Sequence, residues 1–438
     1  MPKYSVNCLA TIALSICFLT ACEPPQQTQT QPTPATVQTP APPAATPAAP
    51  PVAATQGPFT FPILDALLHD DEFLKEVRSS IGIKDTEIED LKKAAVEGVA
   101  DLDESDAAER SASERSSDAQ ARIKQLLGDD RGQRLIALVQ QKWSSGTSSE
   151  KPNSVPADSR IVVNIPAFRM DVFDKGKLVK TYKIGIGYPE FPLPTGLREA
   201  KQIIVNPSWT PPDEPWVRGK LRPFEKVEAG SKLNPLGVIK IPIGLPSLIH
   251  GGKSPQRLGT FASHGCVGLT NGQVEDFAVQ LSTIGGKPIT LQEIKALEKV
   301  KTETKTIDLS TDVPVELRYE TIMLENGTLK IFRDVYERGT NTEENLRRLL
   351  EAQGLSLDQL DESLRTQILT ALEEMGTDAA GKPIDGVTAN ANANTKANAS
   401  NTKPPRITRN IKGQKEAAFV IPQLAGKGYP APVNLRAT

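Results

Sequence analysis

Thiols are scarce in this chain of 438 residues, and three of its four cysteines, Cys8, Cys17 and Cys22, fall within the first 22 positions, leaving Cys266 alone in all that follows. A disulfide framework is thereby excluded for the body of the protein. Histidines are fewer still, namely His69, His250 and His264. A cysteine–histidine metal site would want more ligands than these supply, so no metal and no cofactor is expected. Neither sign of charge prevails: 51 basic residues face 53 acidic ones, a formal charge of -2, and no basic field invites a nucleic acid. Aromatics make up 5% and hydrophobics 38%, the latter swollen by alanine, so much of the chain cannot be core. Beyond residue 22 no apolar run is long enough to span a bilayer.

The first 22 residues hold Lys3 and then an apolar stretch from about Cys8 to Leu19, too short for a bilayer and shaped like a secretory signal. Its end, Leu19-Thr20-Ala21-Cys22, resembles a bacterial lipobox, in which the cysteine is diacylated and becomes the new N-terminus. The resemblance implies a signal peptide over 1–21 and lipid on Cys22; an ordinary signal or an N-terminal anchor is the alternative, and both imply export. Residues 22–59 contain almost nothing that can be buried, and their prolines favour an extended polyproline tether. With Glu23 rather than aspartate beside Cys22, the expectation is a periplasmic protein held on the outer membrane with reach into the wall.

Residues 60–146 carry helical periodicity: Thr86 and Glu89 form a capping-box pattern ahead of Leu91, Ala95 and Val99, and Ile136, Val139 and Trp143 repeat at three and four. An acidic, serine-rich stretch over 101–119 predicts a break or a very polar helix, and His69 among acids reads as a solvated face residue. From Arg160 the period becomes two, with Phe168, Met170 and Val172 alternating with Arg169 and Asp171 before the turn residues Asp174 to Lys177. A second hairpin is predicted at Asn326-Gly327. A mostly β domain over 158–340 is therefore expected, then a helical extension over 341–376. In that extension Ser356 and Gln359 predict the cap of a helix striped with Leu360, Leu364, Ile368, Leu372 and Met375. Residues 377–438 read as a low-complexity linker and a tail whose role is not legible. The fold class is multidomain, a mostly β, sandwich-like centre flanked by α-helical segments and disordered linkers.

Two of the three histidines lie within sixteen residues of Cys266. A thiol of ordinary pKa near 8.5 is only a few per cent thiolate at neutral pH, so a nucleophilic cysteine needs an imidazole or a positive field. His250 ends a strand-like run and is followed by Gly251-Gly252, while His264 and Gly265 directly precede Cys266. Glycines there permit a tight turn and let backbone N–H groups approach an oxyanion. Cysteine–histidine acyl transfer follows as the chemical expectation.

His250, twelve intervening positions, and then Ser263-His264-Gly265-Cys266-Val267 resemble the signature of the L,D-transpeptidase (YkuD-type) catalytic domain. The resemblance extends to GIGYPEFPLPTG (185–196) with Thr195, NPSWTPP (206–212) with Trp209, and NPLG (234–237), covering roughly Arg160 to Leu291. It implies an enzyme acting on peptidoglycan stem peptides, with Cys266 as nucleophile, His250 as base and the Gly251 carbonyl orienting that base. Ser263 and His264 would line the site, the N–H groups near Gly265 and Cys266 would form the oxyanion hole, and Asn271, Thr195 and Trp209 would meet substrate. The implied reaction cleaves the bond between the diamino acid at stem position three and D-alanine. An amine acceptor then makes a 3→3 cross-link, a protein lysine attaches a protein, and water makes the enzyme an L,D-carboxypeptidase. One position departs: where the family commonly has arginine or asparagine two residues after the cysteine, this chain has Gly268, with Arg198, Arg218 or Arg257 as candidate substitutes. A non-catalytic wall-binding lipoprotein is the second reading, drawn from that departure.

Overall fold

The computed structural model describes residues 58–100, 103–105, 112–144, 151–212, 217, 221–244, 247–378, 381, 406–408 and 411–435; the expected signal peptide, Cys22, most of the tether and Arg218 lie outside them. The chain enters at Thr60, whose hydroxyl accepts the Ile63 N–H and starts α1 (Phe61–Leu68). Asp70 caps α2 (Asp71–Glu76) in the same way, and Gly82, at φ 75°, ends the π turn that follows. In α3 (Asp85–Ala100) the Glu87 carboxylate accepts the Lys84 N–H at 2.9 Å. The helix thus begins before Thr86, and the expected Thr86–Glu89 box is corrected to a start at Lys84. After β1 (Asp103–Ser105), α4 (Ala112–Leu127) takes up the second half of the expected break, and α5 (Asp129–Trp143) follows. Leu64, Leu91, Ile123, Leu135 and Ile136 close a helical core.

The eight-stranded sheet is built from β2 (Arg160–Asn164), β3 (Arg169–Asp174), β4 (Lys177–Lys183), β6 (Gly196–Val205), β7 (Ile239–Pro242), β8 (Leu248–His250), β10 (Val267–Gly268) and β11 (Lys305–Arg318). Its order is β10-β8-β7-β6-β11-β2-β3-β4, with β10/β8 and β11/β2 parallel and the other pairs antiparallel. A short parallel pair, β5 (Ile186–Gly187) and β9 (Phe261–Ser263), joins it through reciprocal hydrogen bonds between Gly185 and Gly268. The sheet curls over α6 (Asn271–Ile284) and α7 (Leu291–Glu298), each started by a complete capping box, Thr270 with Gln273 and Thr290 with Glu293. Lys175 at φ 49° and Gly176 at φ 79° make the tight turn between β3 and β4, as the turn residues predicted.

The polar members of the alternation are buried as well. Arg169 pairs with Asp171 at 2.7 Å and with Glu325, and it lies 5.2 Å from the Tyr429 ring. Their cover is the chain's C-terminal part. Here β12 (Ile322–Glu325) and β13 (Thr328–Phe332), joined at Asn326-Gly327, leave the large sheet. They share a core with α8 (Glu343–Ala352), α9 (Glu362–Met375) and β15 (Glu416–Val420), while β14 (Arg406–Thr408) pairs with β1. The boundary expected at 340 is therefore corrected: the break falls after β11, and residues 416–424 of the supposed tail are an integral strand and turn. Ser356 and Gln359 form their box, but on a short turn at Leu357–Gln359, and Asp361 caps α9. Ile368, Leu372 and Met375 of the expected stripe are buried against Leu346, Leu349 and Leu350. Among the described residues no helix is long and apolar enough to cross a membrane.

Candidate active site

Strand pairing brings the first histidine to the thiol. β10 runs parallel to β8 with Val267 opposite Ile249 and Gly268 opposite His250. Alternation along a strand puts Cys266, two residues before Gly268, on the face that carries His250, one step along the ladder. Both side chains open into a cavity of about 730 Å³, also lined by Trp209, Lys253, Ser263, His264 and Gly265. Helical residues line it as well: Pro62, Ile63, Asp65 and His69 of the α1 region, Val96 of α3 and Trp143 of α5 form a helical wall. His69, read from sequence as a solvated residue, stands at that wall with Nδ1 2.8 Å from the Asp65 carbonyl.

His250 is buried, and its Nδ1 lies 2.7 Å from the Gly251 carbonyl, which holds the ring with its proton on Nδ1 and leaves Nε2 unprotonated. Burial drives its pKa down to about 3, the Lys253 ammonium adds to the shift, and the Gly251 and Leu236 carbonyls oppose it. The ring is neutral at physiological pH. Cys266 is half-buried; burial raises its pKa, and the Leu248 backbone and Lys253 pull it back. Thiol and imidazole thus rest as a neutral pair.

The peptide before the thiol is held from both sides. Ser247 donates to the Gly265 carbonyl at 2.9 Å, and the Cys266 N–H donates to Ser263 Oγ at 3.0 Å while that hydroxyl donates to the Cys266 carbonyl. The Cys266 N–H, expected from the resemblance to serve an oxyanion, is engaged within the loop in this structure. Gly265 sits at φ 92°, and a Cβ on Gly187 would lie 2.1 Å from the Phe191 carbonyl oxygen and 3.1 Å from the Gly265 Cα, so glycine is required at both positions for the turn to close. His264 rests edge-on against Phe191 and Tyr188, with centroids 4.8 and 5.2 Å away.

Two expected substrate contacts lie elsewhere. The Asn271 side-chain oxygen accepts the Gly252 N–H at 2.8 Å and the Val238 N–H at 3.3 Å, tying the loop after His250 to the start of α6. Thr195 does not line the cavity; its N–H donates to the Trp143 carbonyl at 3.2 Å, where sheet and helices meet. Of the candidate cations, Arg198 donates to the Lys142 carbonyl away from the cavity, and Arg257 donates to the Tyr188 hydroxyl at 3.0 Å. Sequence reasoning missed Ser247, Lys253 and the whole helical wall. Lys253 alone carried a signal, three residues after His250, and its chemistry depends on what lies across the strand.

Residues 158–306 match the profile of the L,D-transpeptidase catalytic domain family (YkuD). YqjB of Bacillus subtilis (strain 168), a relative to which L,D-transpeptidase activity is ascribed provisionally, is 24% identical over 188 residues, 42% of this chain and 96% of the relative. Among solved structures, the catalytic domain of the E. faecium L,D-transpeptidase is 16% identical, with 38% of this chain and all of that one covered and a TM-score of 0.25. An L,D-transpeptidase from Mycobacterium smegmatis is 15% identical, with 37% of this chain and 59% of that one covered and a TM-score of 0.22. Over residues 158–306, then, the chain is similar to the L,D-transpeptidase catalytic domain.

Proposed function

We propose that this domain is an L,D-transpeptidase that works through Cys266 as nucleophile and His250 as base, on peptidoglycan tetrapeptide stems in the periplasm. The observation that carries the reading is the placement of His250 and Cys266 on one face of the paired strands β8 and β10, opening into a single cavity. His250 Nε2 takes the thiol proton as sulfur attacks the carbonyl between the diamino acid and D-alanine. The same proton passes to the leaving amine, D-alanine departs, and a thioester remains. An incoming side-chain amine, losing its proton to His250, displaces the thiol and forms a 3→3 amide; water in its place gives a tripeptide, and a protein lysine gives an attached protein. The test is mass analysis of muropeptides after incubation with the purified protein. Loss of one D-alanine per donor stem, absent in Cys266→Ala, is expected, and an unchanged tetrapeptide with the native protein would remove the reading.

Lipid on Cys22 and a proline-rich tether place that domain within reach of the wall. Membrane fractionation checks this: Cys22→Ser is expected to release the protein to the soluble periplasm, and retention on the membrane counts against the anchor. The non-catalytic wall-binding reading drew its support from Gly268. That position has a further feature.

A further inference from the structure

Gly268 stands beside His250 in the β8–β10 register, and a Cβ built there would lie 2.8 Å from Cγ and 2.9 Å from Cε of Lys253. The space above the glycine is filled by a side chain from the loop after His250. That loop is fixed to the same strand, since the Lys253 N–H donates to the Leu269 carbonyl at 3.0 Å and the Leu269 N–H to the His250 carbonyl at 2.8 Å. Lys253 lines the cavity together with Cys266. We infer that Lys253 supplies the cationic side chain missing at position 268 and that its ammonium is the counter-ion of the Cys266 thiolate. This rests on the reading of Cys266 as nucleophile.

The other ionisable groups do not fill that role. His250 on β8 is neutral, and His264 is packed edge-on between Tyr188 and Phe191. Arg257 donates to the Tyr188 hydroxyl, and Asp65 and His69 belong to the helical wall. Burial brings Lys253 down to about 8, Arg257 adds to the fall, and a thiolate at Cys266 opposes it, so ammonium and thiolate stabilise each other. The same charge disfavours a proton on His250, so the imidazole rests neutral beside the ammonium. A glycine at 268 is what makes room: the lysine's aliphatic chain crosses the strand where any larger residue would stand.

The test follows thiolate formation directly, without substrate. The rate of iodoacetamide alkylation of the full chain is read on the Cys266 peptide by mass spectrometry across a pH series. Lys253→Met keeps most of the aliphatic packing and removes the charge; its midpoint is expected to rise by about one pH unit or more, slowing alkylation roughly tenfold near neutral pH. Lys253→Arg is expected to keep the native midpoint. Gly268→Arg alone collides with Lys253 and should disturb the site, whereas Gly268→Arg with Lys253→Ala should restore a midpoint near the native one. A native midpoint in Lys253→Met, or in Lys253→Gln if the first variant melts early, overturns the counter-ion role. A double variant as slow as Lys253→Met overturns the substitution for position 268. Failure of the muropeptide assay with the midpoint shift intact would remove the proposed substrate and leave Lys253 as counter-ion, while a flat midpoint in an active enzyme would do the reverse.

Discussion

His250 is an imidazole held neutral at a cost that pH reveals. Its pKa in the fold is about 3, against an ordinary value near 6.5, because burial and Lys253 penalise the charged ring. Between those values the unfolded chain binds a proton that the folded one does not, so stability is fully present above about pH 6.5 and falls as pH drops towards 3. One proton corresponds to about 1.4 kcal/mol per pH unit in that window. A series of melting temperatures against pH is expected to slope less steeply for His250→Asn than for the native protein, and equal slopes would refute the assignment. The histidine and cysteine were legible because glycine-flanked imidazoles beside a lone thiol have few other uses. Ser247 was not, since a serine's meaning lies in its partner, here the Gly265 carbonyl eighteen residues away.

Among the elements, the join between α4 and the 185–196 loop holds the helical wall over the cavity. Arg115 meets Glu190 at 2.6 Å with both side chains nearly out of solvent, and the Thr60 hydroxyl donates to the Glu190 carbonyl at 3.0 Å. Burial raises the Glu190 carboxyl's pKa and the guanidinium opposes the rise, so removing the arginine leaves an uncompensated buried acid. Such a loss costs about 3–5 kcal/mol. Arg115→Ala should therefore lower the urea midpoint and speed alkylation of Cys266 as the wall loosens; a native midpoint with unchanged thiol reactivity would show that the wall does not depend on this pair. Helical periodicity predicted α5 and most of α3, but it carries no information on where the apolar face of a helix docks.

The whole molecule is closed by its C-terminal part. β15 covers the edge of β13, Ile421 and Leu424 fill the core under α8 and α9, and Tyr429 meets Phe173 edge-on at 5.8 Å above the Arg169–Asp171 pair. Thr181 and Val433 exchange hydrogen bonds at 3.0 and 3.1 Å. Each buried apolar side chain contributes about 1.5–3 kcal/mol, so truncation after residue 405 is expected to cost several kcal/mol, lower the melting temperature and expose dye-binding apolar surface. An unchanged melting curve would make the segment an ornament. Local patterns alone determined the strand-rich centre, its two tight turns, the flanking helices and the thiol with its histidine, because each depends on residues close in the chain or on a rare residue type. Tertiary structure decided the rest. The two hairpins have the same period of two yet join different sheets, the alternating Arg169 and Asp171 are buried because Tyr429 covers them, and Lys253 gains its meaning from the empty Cβ position of Gly268. The cover of Arg169 and Asp171 comes from a segment 260 residues away, and although Lys253 and Gly268 are only fifteen residues apart, it is the pairing of β8 with β10 that lays one over the other.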